Sequence, residues 1–368
     1  MNKKVVILCP YSYPSACGIW SRVYSDAKAL INEGYEVHVF SSNIIKGTNK
    51  TSSSTEELEG IHLHRFNVRL KLGGTSMIWF FRKEFNKINP DIIHTHGYRH
   101  PHSFQSFIFS KIKKKPVFIT THGPFEKDTN RTKILKIIDT LYDNLIGRFE
   151  LKRYNSVIIL SNWERKYLKR FNVKKIEEIP NGINHKFITK QIPENYSEIK
   201  NQVIYMGRID PVKRLEWIKY ASKKLTNLSF KIIGPIQGYD KFTTNSSNLE
   251  IISKKYNEED FIEEVDNSDI FVLPSIRESF GLVLVEAMSR GKIVISSDTK
   301  GANDIINNGV NGFLIQSKDE LIEAIEYTYK NWEKLGAIRV EAINTGIKYD
   351  ENNTTKLLIA LYNTLYTV

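Results

Sequence analysis

The sequence contains little cysteine and no long hydrophobic run. Among its 368 residues only Cys9 and Cys17 are cysteines, too few for a disulfide framework, and no His or Cys stands near them at a metal-ligand spacing. No apolar run approaches the roughly 18 residues of a transmembrane helix, and the short run that starts at Val5 is stopped by Pro10 and Pro14. These shortages exclude a disulfide-stabilised scaffold and a membrane-spanning bundle, and they favour a reducing cytoplasm.

Acidic residues are scarce in the first half of the chain only. The chain has 53 basic and 41 acidic residues. Residues 1–185 contain 30 basic and 16 acidic residues, whereas residues 186–368 contain 23 basic and 25 acidic residues. The net charge of +12 therefore originates entirely in the first half. Because the length suits two domains, we expect domains with different partners. The first would face an anion: nucleic acid, a phospholipid surface or a phosphorylated acceptor.

Short β-branched apolar runs alternate with amphipathic stretches along the whole chain. Strands are predicted at 5–9, 35–40, 61–66, 91–94, 117–120, 156–160, 203–206, 228–233, 269–273, 292–296 and 313–315. Helices are predicted at 21–33, 77–87, 103–111, 131–153, 162–170, 214–224, 258–266, 282–289, 318–329 and 354–366. Apolar strands separated by helices predict parallel sheets covered on both faces. We expect an α/β fold with two doubly wound domains, 1–185 and 186–350, and a terminal helix at about 351–368 that packs back on the first.

The most informative segment follows the predicted strand 269–273. Glu278 lies in the loop and Glu286 in the next helix, too far apart for an acid/base pair but suited to grip two parts of one extended ligand. The amides of residues 280–282 would point from the helix N-terminus, which favours a phosphate. The alternative is an ordinary helix capped by Ser279 with surface glutamates.

Cations and histidines follow other predicted strands. Arg208 and Lys213 come after strand 203–206, where an Arg can hold phosphate oxygens in a fork and a Lys supplies a compact charge. A solvated surface is the alternative for both side chains. In the first half the strand ends carry four further candidates, Gly18, His94, His96 and His122. Zinc held by His94, His96, His100 and His102 lacks a carboxylate or Cys at ligand spacing, so no metal site is predicted.

In their order along the chain these motifs resemble the GT-B family of retaining, nucleotide-sugar-dependent glycosyltransferases, family 4. The landmarks are the Gly18 loop, HTHG at 94–97, TTHG at 120–123, IPNGIN at 179–184, GRIDPVK at 207–213, ESFGLVLVE at 278–286 and NGVNGFLI at 308–315. The two glutamates of ESFGLVLVE, followed by Ala-Met, are the most specific. The resemblance spans nearly the whole length and implies two Rossmann-like domains that face a central cleft, with the acceptor side first and the donor side second.

The resemblance also implies a role for each matching residue. Arg208 and Lys213 would bind the donor diphosphate without an essential metal. Glu278 would hold the sugar hydroxyls, orienting the sugar without acting as nucleophile, and His122 would lie near the reacting sugar and acceptor. The other implied donor-binding residues are Gly18, Ser279, Phe280, Gly281 and Leu282 around the phosphates, and Glu286 at the ribose.

Three positions depart from the family pattern. Cys17 replaces the first of two glycines in the first loop, Arg214 replaces the glycine after Lys213, and Lys300 replaces the first of two glycines before the helix near Asp304. None removes a charged donor ligand, so activity remains expected.

The expected function is transfer of a sugar from a UDP-sugar, or second from GDP-mannose, to a glycan or lipid-linked acceptor in the synthesis of a cell-surface polysaccharide or glycoconjugate. No cofactor is expected, because the nucleotide-sugar is a co-substrate. A GT-B nucleotide-sugar epimerase and a basic nucleic-acid-binding protein are the alternatives, but the cationic run at 111–115 lacks the interleaved aromatics of a stacking surface. A nicotinamide enzyme would need a G-x-G-x-x-G that the first loop lacks, and no lysine stands out for pyridoxal phosphate.

The basic first half also suggests a location. Cations in the predicted helix 131–153 and at Arg165, Lys166, Lys169 and Arg170 suit anionic lipid headgroups, with a solvated basic face as the equal alternative. The expected location is the cytoplasm, with peripheral contact to the inner face of the cell membrane left open.

Overall fold

The computed structural model describes residues 2–15, 17–73, 76–125, 132–189 and 199–365. The chain divides into two compact units, residues 1–180 with 354–368 (unit 1) and residues 181–353 (unit 2). The sequence placed the divisions after residues 185 and 350. Arg131 and Tyr366, each the terminal residue of a predicted helix, lie outside the described residues.

Unit 1 is built around an eight-stranded sheet in the order β10-β9-β8-β7-β1-β2-β4-β3. Every neighbouring pair is parallel except β3 with β4. Strands β5 and β6 form a separate antiparallel pair. The strands are β1 (Lys4–Leu8), β2 (Glu36–Ser42), β3 (Thr55–Leu58), β4 (Ile61–Phe66), β5 (Leu70–Gly73), β6 (Ser76–Ile78), β7 (Ile92–His96), β8 (Val117–Thr120), β9 (Ser156–Ile159) and β10 (Ile176–Glu178).

Both faces of this sheet are buried. Val5 and Ile7 of β1 belong to one hydrophobic cluster, whereas Val6 and Leu8, which point to the opposite face, belong to another. The α-helices of unit 1 before the domain division are α1 (Gly18–Asn32), α2 (Arg82–Ile88), α3 (Pro101–Lys113), α4 (Lys133–Tyr142), α5 (Arg148–Glu150) and α6 (Arg165–Leu168). Two-sided burial explains why the strands of this sheet read as continuous apolar runs.

Three helices predicted in unit 1 differ from the structure in extent or in helix type. The helix predicted at 77–87 begins only at Arg82, because Met77, Trp79 and Phe81 are buried at alternate positions, the period of an extended chain. The helix predicted at 131–153 is interrupted by a π-helical turn, Asp143–Gly147, and ends in a 3₁₀ turn, Leu151–Arg153. Short 3₁₀ turns, Asn162–Glu164 and Lys169–Phe171, also flank α6 within the helix predicted at 162–170.

Unit 2 contains a six-stranded, wholly parallel sheet in the order β13-β12-β11-β14-β15-β16. Its strands are β11 (Gln202–Met206), β12 (Ser229–Ile233), β13 (Leu249–Ile252), β14 (Ile270–Leu273), β15 (Ile293–Ser297) and β16 (Phe313–Ile315). Its α-helices are α7 (Glu216–Lys224), α8 (Glu258–Asp266), α9 (Leu282–Ser289), α10 (Lys300–Ile305), α11 (Lys318–Lys330) and α12 (Gly336–Lys348). The described residues of unit 2 also form 3₁₀ turns at His185–Phe187, Pro211–Lys213 and Trp332–Leu335. Strand β13 and helices α10 and α12 were not predicted.

The last helix, α13 (Glu351–Asn363), belongs to unit 1 from Thr354 onward. Tyr362 is fully buried there, with its ring against Phe118 and its hydroxyl 2.8 Å from His94 Nδ1. None of the helices within the described ranges is long and apolar enough to cross a membrane.

In both sheets the strand order reverses beside the first strand of the unit. The reversal falls between β1 and β7 in unit 1 and between β11 and β14 in unit 2. In doubly wound sheets, ligands bind beyond the carboxyl ends of the strands at such a switch point. The predicted α/β fold with two doubly wound, Rossmann-like domains is confirmed, and it directs attention to the residues just after these strands.

Candidate active site

Two loops meet at the switch point of unit 2, and an ion pair joins them. Lys213, in the loop after β11, donates its Nζ hydrogen to Glu278 Oε1, in the loop after β14. Ser275 Oγ donates to the same carboxylate oxygen at 2.8 Å. Both side chains of the ion pair are 14% exposed. Because an ammonium has three N–H donors, Lys213 can hold this carboxylate and a phosphate oxygen together.

Arg208 supplies a second cation beside the same strand. Its backbone carbonyl accepts the hydroxyl of Tyr205 at 2.6 Å, and its guanidinium lies 3.1 Å from Asp210 Oδ2. Asp210 in turn accepts the backbone N–H of Val212 at 3.0 Å and so caps the turn that carries Lys213. The Arg208 side chain is 52% exposed. Arg208 therefore presents a positive charge to solvent from a fixed backbone.

The loop that carries Glu278 lies against the start of α10. Gly301 N donates to Glu278 O at 2.9 Å. A Cβ at position 301 would lie 2.6 Å from Glu278 O and 2.6 Å from Phe280 N, closer than real Cβ contacts. Gly301, the second glycine of the pair whose first member is Lys300 here, thus permits the approach that sets the position of Glu278.

Helix α9 begins without a side-chain cap. The N-cap position is occupied by Gly281 with φ +95°, in the left-handed region, and this residue has no side chain that could accept from the first turn. The N-cap residue is therefore Gly281 and not Ser279, as the alternative interpretation had it. The uncapped N–H groups and the helix dipole leave an N-terminus that favours an anion, beside the cations of the preceding paragraphs.

Glu286 lies in the second turn of α9. Burial, and then the nearby charge of Glu258, raise the pKa of its carboxyl to about 8. Glu286 therefore holds a proton at neutral pH and can both donate a hydrogen bond to a hydroxyl and accept one from it.

In unit 1, His122 follows β8 in a left-handed conformation, with φ +60°. Its Nε2 lies 2.9 Å from Nδ1 of His96, the last residue of β7. Burial, and then the charges of Arg22 and His100, lower the pKa of His122 to about 3, so its ring is neutral at physiological pH.

The other nitrogen of His96, Nε2, is buried without a hydrogen-bond partner in the described structure. An unpaired buried acceptor is less costly than an unpaired buried donor, so we place the His96 proton on Nδ1, donated to His122 Nε2. His122 then carries its proton on Nδ1 and can donate it to a ligand oxygen.

Glu164 fixes the turn that carries His122, and the sequence analysis missed it. The carboxylate is fully buried and accepts from Thr121 Oγ1 at 2.6 Å, from Gly123 N at 3.2 Å and from Leu160 N at 3.2 Å. Helical spacing offered a signal, because Glu164 shares an inward face with Leu168 and Phe171. A charged residue on the apolar side of a helix needs partners, which here include the loop that carries His122.

The remaining histidine candidates of unit 1 have structural partners. His94 bonds Tyr362 through Nδ1 and Thr120 Oγ1 through Nε2, both at 2.8 Å, and His102 Nε2 donates to His96 O at 2.9 Å. Within the described ranges, no three His, Cys, Asp or Glu side chains converge so as to hold a metal ion. Metal independence stays a prediction.

The structure shows the backbone conformation at two of the positions that depart from the family pattern, Arg214 and Cys17. Arg214 keeps the left-handed conformation, φ +53°, that the usual glycine favours, and its guanidinium stacks 4.3 Å from the ring centroid of Trp217. Gly18 is the first residue of α1, and nothing lies within 4 Å of where its Cβ would be. Cys17, just before it, is an extended N-cap whose side chain makes no capping bond.

Comparison with known proteins identifies the class. The model of the family described as Glycosyl transferases group 1 matches residues 186–345, and that of Glycosyltransferase Family 4 matches residues 17–187. Sucrose-phosphate synthase from Thermosynechococcus elongatus shares the fold with a TM-score of 0.76 at 17% identity, covering 99% of both chains. HepE from Anabaena, solved in complex with UDP and glucose, has a TM-score of 0.70 at 15% identity, covering 100% of both chains. The fold is that of the GT-B glycosyltransferases.

A curated relative matches nearly the whole chain. The capsular polysaccharide biosynthesis glycosyltransferase CapH of Staphylococcus aureus is 27% identical over 358 residues, which cover 92% of this chain and 93% of the relative. The chain belongs to the group 1, family 4 glycosyltransferases, as its motifs predicted.

The two glycines at 18 and 301 allow a matched test. Gly301→Ala should displace the Glu278 loop, lowering Tm and reducing donor hydrolysis by about tenfold or more, because its Cβ overlaps backbone atoms. Gly18→Ala should leave Tm unchanged, because its Cβ meets no protein atom, and should weaken hydrolysis only if a ligand approaches α1. Thermal unfolding and hydrolysis rates would be measured for both variants. A Gly301→Ala variant with wild-type Tm and rate would contradict the packing argument.

The raised pKa of Glu286 predicts a pH-dependent stability difference. Below about pH 4.5 the carboxyl is protonated in both states; between pH 4.5 and about 8 the unfolded chain ionises first, so the wild type loses stability as pH rises. Glu286→Gln removes this loss, and we expect its ligand-free Tm to exceed that of wild type above pH 8 by about 2–4 °C, with no difference below pH 4.5. Exposed Glu263→Gln is the control. An equal Tm difference at both pH values would argue against ionisation as the cause.

Proposed function

We propose that the protein is a retaining, metal-independent hexosyltransferase that uses a UDP-sugar, with GDP-mannose as the second choice of donor. Its acceptor would be a glycan or lipid-linked glycan in the synthesis of a cell-surface polysaccharide or glycoconjugate. The observation that carries the proposal is the ion pair of Lys213 and Glu278 at the switch point of unit 2, with the uncapped N-terminus of α9 beside it. HepE, in complex with UDP and glucose, supports the donor, and the name of CapH supports the acceptor.

The donor would be held by residues of opposite character. Arg208 and Lys213, with the amides of the first turn of α9, would carry the negative charge of the diphosphate and of the departing nucleotide. Glu278, fixed by Lys213 and Ser275, would accept from sugar hydroxyls, and protonated Glu286 would bind the ribose hydroxyls. Two cations at this position supply the charge that a metal ion would otherwise supply.

The state of Glu278 favours orientation over nucleophilic attack. One of its carboxylate oxygens already receives an ammonium and a hydroxyl hydrogen, which lowers its nucleophilicity. A retaining glycosidase, in contrast, uses a carboxylate free to bond the anomeric carbon. We propose that the diphosphate leaves and the acceptor attacks on the same face of the sugar.

The proton of the acceptor then needs a base. His122, with a pKa of about 3, is a weak base at neutral pH, whereas the departing phosphate oxygen gains negative charge as the sugar bond breaks. We propose that this phosphate oxygen takes the proton and that His122 donates its Nδ1–H to an oxygen of the sugar or acceptor. The acceptor O–H bond breaks, the new glycosidic bond forms, and the nucleotide leaves with the proton.

The two alternative functions, a nucleotide-sugar epimerase and a nucleic-acid-binding protein, can be distinguished from sugar transfer by experiment. An epimerase would convert the donor with no acceptor present, so product analysis without acceptor separates it from transfer. Nucleic-acid binding would rest on the lysines at 111–115, a run without the interleaved aromatic side chains on which bases stack. One of these lysines, Lys115, also lies 3.5 Å from the carboxylate of Asp91. We therefore expect filter binding to show no salt-sensitive affinity.

The central experiment is a donor screen with site variants. Hydrolysis and thermal shift would be measured with UDP-, GDP- and ADP-sugars, because donor hydrolysis needs no acceptor. We expect one nucleotide to raise Tm and its sugar to be hydrolysed, and Glu278→Ala and Lys213→Ala to lower the rate by about a hundredfold or more. Exposed Glu263→Ala and Lys223→Ala are matched controls that should retain the wild-type rate. Near-wild-type turnover by Glu278→Ala on an established donor would refute the assignment.

A further inference from the structure

An exposed apolar stripe runs along α4 and the turn that follows it. Helix α4 has no buried residue. Six large apolar side chains are between 49% and 73% exposed: Ile134, Ile137, Ile138, Leu141, Leu145 and Phe149. Their spacing of three and four places most of them on one face of a helix, the pattern that normally packs on a core. An apolar patch of this kind on a soluble surface marks an interaction site.

The opposite side of the same segment is firmly anchored to unit 1. Asp143 accepts from Tyr98 Oη at 2.9 Å and from Arg99 Nε at 2.8 Å. Tyr142 Oη donates to the buried Glu150 at 2.9 Å. At Gly147 a Cβ would lie 1.9 Å from Tyr98 Oη, so only glycine allows this approach. The polar anchors fix which face of the segment points outward, and that face is the apolar stripe.

The charged side chains of residues 132–153 are also divided between the two sides of the segment. Its three acidic residues point inward: Asp139 lies 3.6 Å from Arg99, Asp143 is 5% exposed, and Glu150 is fully buried. No carboxylate side chain in residues 132–153 is thus more than 17% exposed. The exposed cations beside the stripe are Lys133, Lys136, Arg148, Lys152 and Arg153.

A second helix extends this surface. At the C-terminal end of α3, Ile112 is 68% exposed, next to Lys111 and Lys113. Lys111 Nζ donates to Arg153 O, and the ring of Phe107 in α3 contacts that of Phe149 edge-on at 5.9 Å between centroids. The two segments therefore form one continuous surface of apolar and cationic side chains.

We propose that this surface docks on an anionic lipid bilayer, with the apolar stripe inserted among the acyl chains and the cations on the headgroups. A helix with one apolar and one cationic side binds in the plane of the interface in this way. A second copy of this chain would bring like charges together around the stripe, and nucleic acid would leave the apolar side chains uncovered. The proposal does not depend on the donor or the reaction.

Co-sedimentation of the full chain with vesicles tests the proposal. We expect binding to mixed phosphatidylcholine and phosphatidylglycerol vesicles, weaker binding to phosphatidylcholine alone, and partial loss of binding as salt rises. The double variant Ile137→Ser/Leu141→Ser should bind these vesicles at least about tenfold more weakly than the wild type does, because it removes apolar area from the stripe. Leu357→Ser, 50% exposed on α13, is the control and should bind as wild type does. All replaced side chains are exposed, so Tm should remain unchanged.

Three outcomes would overturn the proposal. The first is that the wild type binds neither vesicle type, and the second is that the double variant binds vesicles as the wild type does. The third is that the wild type binds no vesicles but forms a dimer in analytical ultracentrifugation, whereas the double variant is a monomer. Donor hydrolysis, measured in the absence of lipid, decides the proposed function separately. The two proposals can therefore fail independently.

Discussion

The ion pair between Lys213 and Glu278 is the interaction on which the candidate donor site depends. It joins the loops after β11 and β14, the two strands between which the sheet order of unit 2 reverses. Both side chains are mostly buried, so a carboxylate here without a cation would be costly, and so would an ammonium without an anion. Each residue therefore offsets the desolvation of the other in the ligand-free protein, and a donor that brings phosphates finds the ammonium and the carboxylate already in place.

The site is positioned by packing as much as by charge. Gly301 lets the backbone of residues 278–280 lie against α10, and Gly281 allows α9 to begin without a cap. In unit 1, Glu164 performs the corresponding task with hydrogen bonds, holding the strained turn at His122. Neither Gly301 nor Glu164 needs to touch a substrate for its loss to matter.

The sequence predicted the central strands and most helices, because two-sided burial gives parallel strands an unmistakable apolar run. The prediction from sequence failed where the spacing of apolar residues fitted both a helix and a strand, as at Met77, Trp79 and Phe81. It also failed where strands are short and half exposed, as in β10 and β13. The charged donor candidates were recognisable from motifs. Helical spacing could indicate that Glu164 faces inward, but most partners of Glu164 and Gly301 lie far away in sequence, so no local pattern could identify these contacts.

The place of Tyr362 in the core of unit 1 has a consequence for biosynthesis. The strands of unit 1 leave the ribosome first, but the ring that packs on Phe118 and the hydroxyl that bonds His94 arrive only after all of unit 2 has been translated. Until then, unit 1 exposes an apolar depression on one face of its sheet. Unit 2 is continuous in sequence and can complete its own core earlier. We therefore expect unit 1, although it is synthesised first, to complete its folding after unit 2.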